Sequence, residues 1–171
     1  MMELSRRRLL GGCLVGGVAL AGCTGSSTES ATDDDSDGGT AGPMVGGTEL
    51  NSSFPIEIYD GETRLAQIHW HGQLSNSHWH QQPMTVPQGR WKAHDVRVND
   101  TAGDAIPLGE GEMALSITPT AETQAELIDF SISGRQLETY GQERGLGEYR
   151  LELVEGEQVL WPAPLLQIEV A

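Results

Sequence analysis

The chain has 171 residues, which is the size of one domain and excludes an assembly of several catalytic domains. It contains 25 acidic and 10 basic residues, for a formal net charge of -15. This charge argues against nucleic-acid binding, because phosphate contacts need a positive surface. Abundant carboxylates, a single lysine at Lys92 and few bulky apolar side chains are typical of proteins that remain soluble in concentrated salt.

Residues 1–22 have the pattern of a targeting signal. A basic segment at residues 5–8 (SRRR) precedes an apolar, glycine-rich stretch at residues 9–21, which is too short to span a bilayer as a helix. The paired arginines resemble a twin-arginine export signal, and residues 20–23 (LAGC) resemble the end of a lipoprotein signal. The resemblance implies export in the folded state, cleavage before Cys23, lipidation of Cys23 and attachment to the exterior face of the membrane.

Residues 23–53 are predicted to form an acidic, disordered linker that joins the lipid anchor to the domain. The segment is rich in Gly, Ser, Thr and Asp and has no hydrophobic period, so it offers little apolar surface for a core. Asn51 begins one sequon for N-glycosylation and Asn99 begins another, which fits an exterior protein but is common by chance.

Residues 54–171 are predicted to form an antiparallel β-sandwich of the immunoglobulin-like kind, with seven to nine strands. Turn-forming residues separate the strands at 60–61, 99–103, 109–111, 145–147 and 155–157, and residues 121–127 are a weak competing helical segment. The strands are marked by alternating apolar residues: Ile56 and Ile58; Ala66, Ile68 and Trp70; Val96 and Val98; Leu115 and Ile117; Ile128, Phe130 and Ile132; Tyr149, Leu151 and Leu153; Val159 and Trp161; Leu166, Ile168 and Val170.

Four of the five histidines lie within twelve residues, in two mirrored His-Trp-His segments: His69, His71, His78 and His80. Residues two apart on a strand face the same way, so the histidines of each segment share one face and the tryptophan takes the other. A hairpin closed by residues 72–77 is predicted to pair His69 with His80 and His71 with His78. The four imidazoles would then form one cluster, with Trp70 and Trp79 opposed on the core side.

This cluster is predicted to bind a divalent transition metal, copper or zinc, with nickel also possible, through His69, His71, His78 and His80. Neutral imidazole is a common ligand for these metals, and affinity falls at low pH because ligation requires the unprotonated ring. Whether Gln82, Met84 or Asp95 completes the coordination is left open. Four protein ligands would close the site, whereas three would leave a position for water or substrate. His94 shares strand parity with Val96 and Val98, which favours a core position over a role as a ligand.

Three other interpretations compete with metal capture or delivery. The histidines can be solvated on a structural or adhesive surface module that binds no metal. Trp70, Trp79 and Trp91 can form an aromatic platform for sugar, although strand parity turns the first two away from the imidazoles. A small metalloenzyme is the third, but the sequence offers no phosphate-binding loop, nucleophile elbow or assignable general base. Binding is therefore favoured over catalysis, with a metal transporter or another metalloprotein as a candidate partner.

Residues 68–72 (IHWHG) resemble the first copper-binding segment of multicopper oxidases, and residues 78–80 (HWH) are loosely similar to the second. The resemblance covers about a dozen residues. In that family the two segments are farther apart, and further histidine segments and a copper-binding cysteine follow, none of which this chain contains. The match thus implies a ligand arrangement suited to copper rather than an oxidase. Across its whole length the chain resembles twin-arginine lipoproteins of halophilic archaea with a single sandwich domain.

Overall fold

A computed structural model of the protein describes residues 41–109 and 113–171. Within these residues the chain forms β-strands joined by turns, and no helix in them is long and apolar enough to cross a membrane. The strands are β1 (Met44–Val45), β2 (Thr48–Glu49), β3 (Ile56–Asp60), β4 (Thr63–His69), β5 (His78–His80), β6 (Met84–Val86), β7 (Trp91–Val98), β8 (Ala114–Pro119), β9 (Ile128–Ser133), β10 (Gln136–Gly141), β11 (Gly145–Glu155), β12 (Gln158–Pro162) and β13 (Leu166–Val170). The predicted signal at residues 1–22 and Cys23 lie outside the described residues.

Two larger sheets make up the domain. One has six antiparallel strands in the order β5-β4-β3-β7-β10-β9. The other has the order β12-β11-β13-β6, with β8 also paired to β11, and its one parallel pair joins β6 to β13. The prediction of an all-β, antiparallel sandwich is confirmed. In the described residues its two sheets contain eleven strands, more than the seven to nine predicted.

The apolar faces of the two sheets form a common core. Its residues alternate along the strands with polar residues that face outward, as in β3, where Ile56 and Ile58 are buried. Rings also meet in this core, with the centroids of Trp70 and Trp161 6.1 Å apart and those of Phe130 and Tyr149 5.0 Å apart. Burial raises the pKa of the Tyr149 hydroxyl to about 12, because the charged phenolate would be poorly solvated there.

The folded domain begins earlier than the sequence predicted. Residues 41–53 belong to the predicted linker, but they contain the β1–β2 hairpin, and Val45 and Leu50 are fully buried in the core. The backbone N–H of Leu50 donates to the carbonyl oxygen of Pro43 at 2.9 Å. The boundary predicted at residue 53 is therefore wrong, because two apolar residues in a polar segment are enough to anchor a short hairpin against the sandwich.

The glycines predicted to form a turn at 145–147 lie inside a strand instead, at the start of β11. A Cβ on Gly147 would lie 2.7 Å from Cγ2 of Thr123, so glycine is needed there for close packing. Thr123 belongs to residues 121–127, the segment that the sequence offered as a weak helical candidate. This segment forms two turns rather than a helix. The turns are closed by N–H donation from Thr123 to Thr120 and from Leu127 to Gln124.

Between β5 and β6 the chain passes from the six-stranded sheet to the other sheet. If the strand of His78 and His80 continued, Met84 and Val86 would share the outer face with these histidines. Met84 and Val86 are buried because they face the core from the second sheet, where β6 pairs with β13.

Candidate metal centre

The His-Trp-His segments meet at one edge of the six-stranded sheet. His69 is the last residue of β4, and the edge strand β5 consists of His78, Trp79 and His80. Ile68 and Trp79 point into the core, where they are 0% and 3% exposed. The neighbouring histidines are therefore turned to the outer face of the sheet, as strand alternation requires.

The observed register differs from the predicted one by two residues. His69 pairs with His78 and Gln67 pairs with His80, so the predicted pairs His69–His80 and His71–His78 are wrong. The predicted opposition of the two tryptophans is also wrong, because Trp79 lies across from Ile68. A slip of two residues leaves each side chain on its original face, so the histidines still converge.

The register shifts because the chain leaves the sheet early, at Trp70. The indole Nε1 of Trp70 donates to the carbonyl oxygen of Ala41 at 3.1 Å, and its backbone N–H donates to Ser53 at 2.9 Å. The loop over residues 70–77 is then closed by Ser77, whose hydroxyl donates to the Gln73 carbonyl oxygen at 2.8 Å and accepts from the His71 N–H at 3.1 Å. The predicted hairpin loop was too short because it kept Trp70 in the ladder.

Three histidines present ligand nitrogens close enough to share one ion. One nitrogen from each of His69, His78 and His80 lies within 4.8 Å of the others. Nε2 of His78 and Nε2 of His80 are 3.1 Å apart. His69 is half-buried, and the other two are exposed, so the group is open to solvent. The arrangement can offer three imidazole nitrogens to a metal.

His71 belongs to the same cluster of rings, although not to this group of three. Its ring centroid lies 4.2 Å from that of His69 and 5.3 Å from that of His78. It is exposed and sits beyond the end of β4, in the loop. The rings of all four predicted histidines are thus neighbours, and His69, His78 and His80 are the three whose ligand nitrogens lie within 4.8 Å of one another.

His69 has a lowered pKa. Burial is the main cause, because a half-buried ring solvates its positive charge poorly, and the nearby imidazoles of His71, His80 and His78 add repulsion in that order. A lowered pKa keeps His69 neutral to a lower pH than an ordinary histidine. The neutral ring is the form that binds a metal.

The other candidate ligands named from the sequence lie elsewhere. Gln82 donates to the Trp79 carbonyl oxygen and accepts from the Gln167 N–H, and Met84 is buried in the core. Asp95 on β7 is paired with Arg97 and Arg135.

His94 is a core residue, as predicted. It is 2% exposed, and its Nε2 lies 3.1 Å from the Thr139 hydroxyl, so it faces away from the cluster. Burial is the main cause of its lowered pKa.

Gln67 belongs to this region although its sequence context did not single it out. It lies two positions before His69 on β4 and directly across from His80, on the same outer face. It is 7% exposed, and its side-chain oxygen Oε1 is buried with no hydrogen-bond partner. Its spacing of two from His69 was the available signal, but glutamine is common on strands and gave no reason to be singled out.

Burial rules out two further roles suggested by the sequence, a glycan on Asn99 and a platform of three tryptophans for sugar. Asn99 is 6% exposed, and its Nδ2 donates to the Phe54 carbonyl oxygen at 3.0 Å and to Glu57 at 3.1 Å, so it is not free to accept a glycan. An aromatic platform built from three tryptophans is also excluded. Trp70 and Trp79 are buried, whereas Trp91 is 54% exposed on β7.

The fold and the site together define a β-sandwich with a histidine cluster on the outer face of a sheet edge. No family model matches the sequence, and no curated protein matches it. Among solved structures, the chain is similar to the crystal structure of domains 4 and 5 of the S-layer protein SbsC. The TM-score is 0.34 and the identity 10%, over 70% of this chain and 77% of that chain.

Proposed function

We propose that the protein binds one divalent transition metal ion, zinc or copper, through His69, His78 and His80. The observation that carries the proposal is the mutual approach of three imidazole nitrogens to within 4.8 Å. In a tetrahedral zinc site with Zn–N bonds of about 2.0–2.1 Å, ligand nitrogens lie about 3.4 Å apart. The Nε2 atoms of His78 and His80, 3.1 Å apart, are already near that spacing, and a nitrogen of His69 lies within 4.8 Å of the other two ligand nitrogens.

The ligand type narrows the choice of metal. Imidazole nitrogens suit zinc, copper(II) and nickel, whereas copper(I) prefers thiolate and thioether sulfur. Met84, the methionine nearest to the histidines in sequence, has its side chain in the core and offers no sulfur to the cluster. Three protein ligands leave one coordination position for water or for a ligand from a partner, which suits capture and transfer of the ion.

The proposal includes export and a lipid anchor. Its support is the twin-arginine and lipoprotein resemblance of residues 1–23, with Cys23 as the lipidated residue. A metal-binding domain held at the exterior face of the membrane would act as a capture or delivery protein for a transporter or another metalloprotein.

A structural or adhesive surface module is the second candidate. One observation favours it: the histidines already hydrogen-bond to each other and to the loop, since His78 contacts both His80 and the Asn76 carbonyl oxygen. A cluster satisfied in this way does not need a metal in order to fold. The third candidate, a small metalloenzyme, would show turnover with the metal bound.

The deciding experiment is metal stoichiometry and affinity of the full-length chain, produced without a histidine tag in concentrated salt and mild detergent. High salt matters because exposed carboxylates of a chain with net charge -15 bind cations weakly and without specificity. The wild type is compared with the triple variant His69→Ala, His78→Ala, His80→Ala, using zinc, copper(II) and nickel in turn.

One equivalent of metal held by the wild type and lost by the triple variant is the expected result. The matched control is Glu62→Ala, which removes an exposed carboxylate in the β3–β4 turn and should leave the specific equivalent unchanged. Equal metal content in wild type and triple variant would contradict the proposal and favour the surface module.

A further inference from the structure

The contacts of His78 favour one arrangement of the protons on its ring and on the ring of His80. Nδ1 of His78 is 3.5 Å from the Asn76 carbonyl oxygen, which can only accept, so this long contact favours the tautomer with the proton at Nδ1 and a free lone pair at Nε2. Nε2 of His80 lies 3.1 Å from Nε2 of His78, and in that tautomer of His78 it is the donor of the hydrogen bond between them. In this arrangement His80 is protonated at Nε2.

A metal held jointly by these two rings requires a different proton position on His80. The two Nε2 atoms face each other at 3.1 Å, so an ion bound between them needs a lone pair from both. A neutral His80 then carries its proton at Nδ1. A ligating histidine nearly always donates this second N–H to an acceptor, which fixes the orientation of the ring. His78 has such an acceptor in Asn76, and His80 needs one of its own.

Gln67 meets the requirements for this acceptor. It is the direct cross-strand partner of His80, and residues opposed in this way have Cβ atoms about 4.5–5.5 Å apart. Its Oε1 is buried and has no hydrogen-bond partner, an unfavourable state that a donor would relieve. Glu57, the next residue in the same row, already has both carboxylate oxygens engaged, by Arg64 and Asn99.

We propose that Gln67 is a positioning residue for the metal centre. Its Oε1 accepts the Nδ1–H of His80 and so holds that ring in the tautomer that presents Nε2 to the ion. The inference rests on the proposed metal-binding function. This role gives a reason for the buried amide oxygen of Gln67, which has no hydrogen-bond partner and which the fold alone does not require.

The test uses the full-length chain, with zinc as the probe and Gln67→Met as the main variant. Methionine keeps the length of the side chain but removes the acceptor, so we expect zinc affinity to fall about 10- to 100-fold. The melting temperature measured with a chelator present should not fall, because the substitution also removes an unpaired buried polar atom. Gln67→Glu keeps an acceptor oxygen and should retain wild-type affinity or exceed it.

Two further measurements separate positioning from a structural effect. Nitrogen-15 NMR of the histidine rings should show the His80 proton at Nε2 in the presence of a chelator and at Nδ1 with zinc bound. Gln136→Met is the matched control, since Gln136 is an exposed glutamine on the same sheet, and its zinc affinity should equal that of the wild type.

The outcomes distinguish the two proposals. If the wild type binds no more zinc than the triple histidine variant, the proposed function fails. If the wild type binds zinc but Gln67→Met binds it equally well, or if His80 binds zinc through Nδ1, the role of Gln67 is overturned while the metal site stands. The NMR result needs only the wild type, so zinc bound through Nδ1 of His80 would overturn the role of Gln67 even if Gln67→Met does not fold.

Discussion

The indole Nε1 of Trp79 donates a 2.8 Å hydrogen bond to the carbonyl oxygen of Pro164, in the segment between β12 and β13 of the opposite sheet. Trp79 is the central residue of β5 and is 3% exposed. The bond ties this three-residue edge strand, which carries two of the three candidate ligands, to the second sheet. Metal affinity and core stability should therefore be coupled through Trp79.

Replacing Trp79 with Phe tests this coupling. The substitution removes the donor and leaves a part-buried carbonyl oxygen without its partner, so we expect a loss of about 1–3 kcal/mol in the free energy of unfolding. Zinc affinity should also fall, because β5 holds His78 and His80 less firmly. Urea unfolding and zinc titration measure the two effects. Trp91→Phe is the control: Trp91 is 54% exposed, and its replacement should change stability by about 0.5 kcal/mol or less.

Single histidine variants should rank the ligands. His80→Ala removes one of the three converging nitrogens and should lower zinc affinity by about 100-fold or more, beyond the range seen for indirect partners. His71→Ala removes a neighbouring ring outside that group and should have a much smaller effect. Competition titration with a zinc chelator gives both values. A loss for His71→Ala as large as that for His80→Ala would restore the four-ligand site predicted from the sequence.

The lowered pKa of His69 should be visible by NMR in the presence of a chelator. The ring should titrate below the ordinary histidine value of 6.5. His71→Ala removes the nearest repelling charge and should raise the pKa, but not to 6.5, because burial is the larger cause. A midpoint for His69 at or above 6.5 in the wild type would show that its ring is better solvated than the structure indicates.

Buried His94 should make the fold sensitive to acid. Its pKa is lowered in the folded state, mainly by burial, so the unfolded chain binds a proton more readily. The stabilisation is complete above the unfolded pKa of about 6.5 and is lost as the pH falls through the folded value. Urea unfolding at about pH 8 and about pH 5 should show this loss in the wild type. The loss should be smaller in His94→Gln, which has no group to titrate there, and an equal loss in both would assign the effect to other residues.

Gly147 should not tolerate a side chain. An alanine Cβ would approach Thr123 Cγ2 to 2.7 Å, and that side chain cannot easily move because its hydroxyl donates to the Glu148 carbonyl oxygen at 2.8 Å. We expect Gly147→Ala to lower the free energy of unfolding by about 1–3 kcal/mol. Gly109→Ala, where a Cβ would meet nothing within 4 Å, should be nearly neutral. Similar stabilities for the two variants would argue against close packing of residues 121–127 on β11.

Much of the architecture follows from local patterns in the sequence. Each predicted run of alternating apolar residues lies in or overlaps a strand, because one buried face imposes a period of two on the side chains. The turns at Gly61 and Gly156 were also predicted correctly, and both residues have the positive φ angles, 59° and 58°, that glycine adopts freely. Strands β1, β2, β6 and β10 were not predicted. The first three are too short to show a period, and the buried face of β10 carries Leu137, Thr139 and Gly141, of which only the leucine is strongly apolar.

The convergence of the histidines was also predictable from the alternation of side chains along a strand. A shift of the pairing by two residues, or by any even number, keeps the histidines of both His-Trp-His segments on the same face. The register itself depended on contacts distant in sequence. Trp70 leaves the sheet because Ala41 and Ser53 bind its indole and backbone N–H groups, and this moves His69 opposite His78. The same pairing sets Gln67 across from His80. Strand periodicity is a local property of the chain, whereas the partner of each residue is decided by the packing and hydrogen bonds of segments far apart in sequence, which only the folded structure contains.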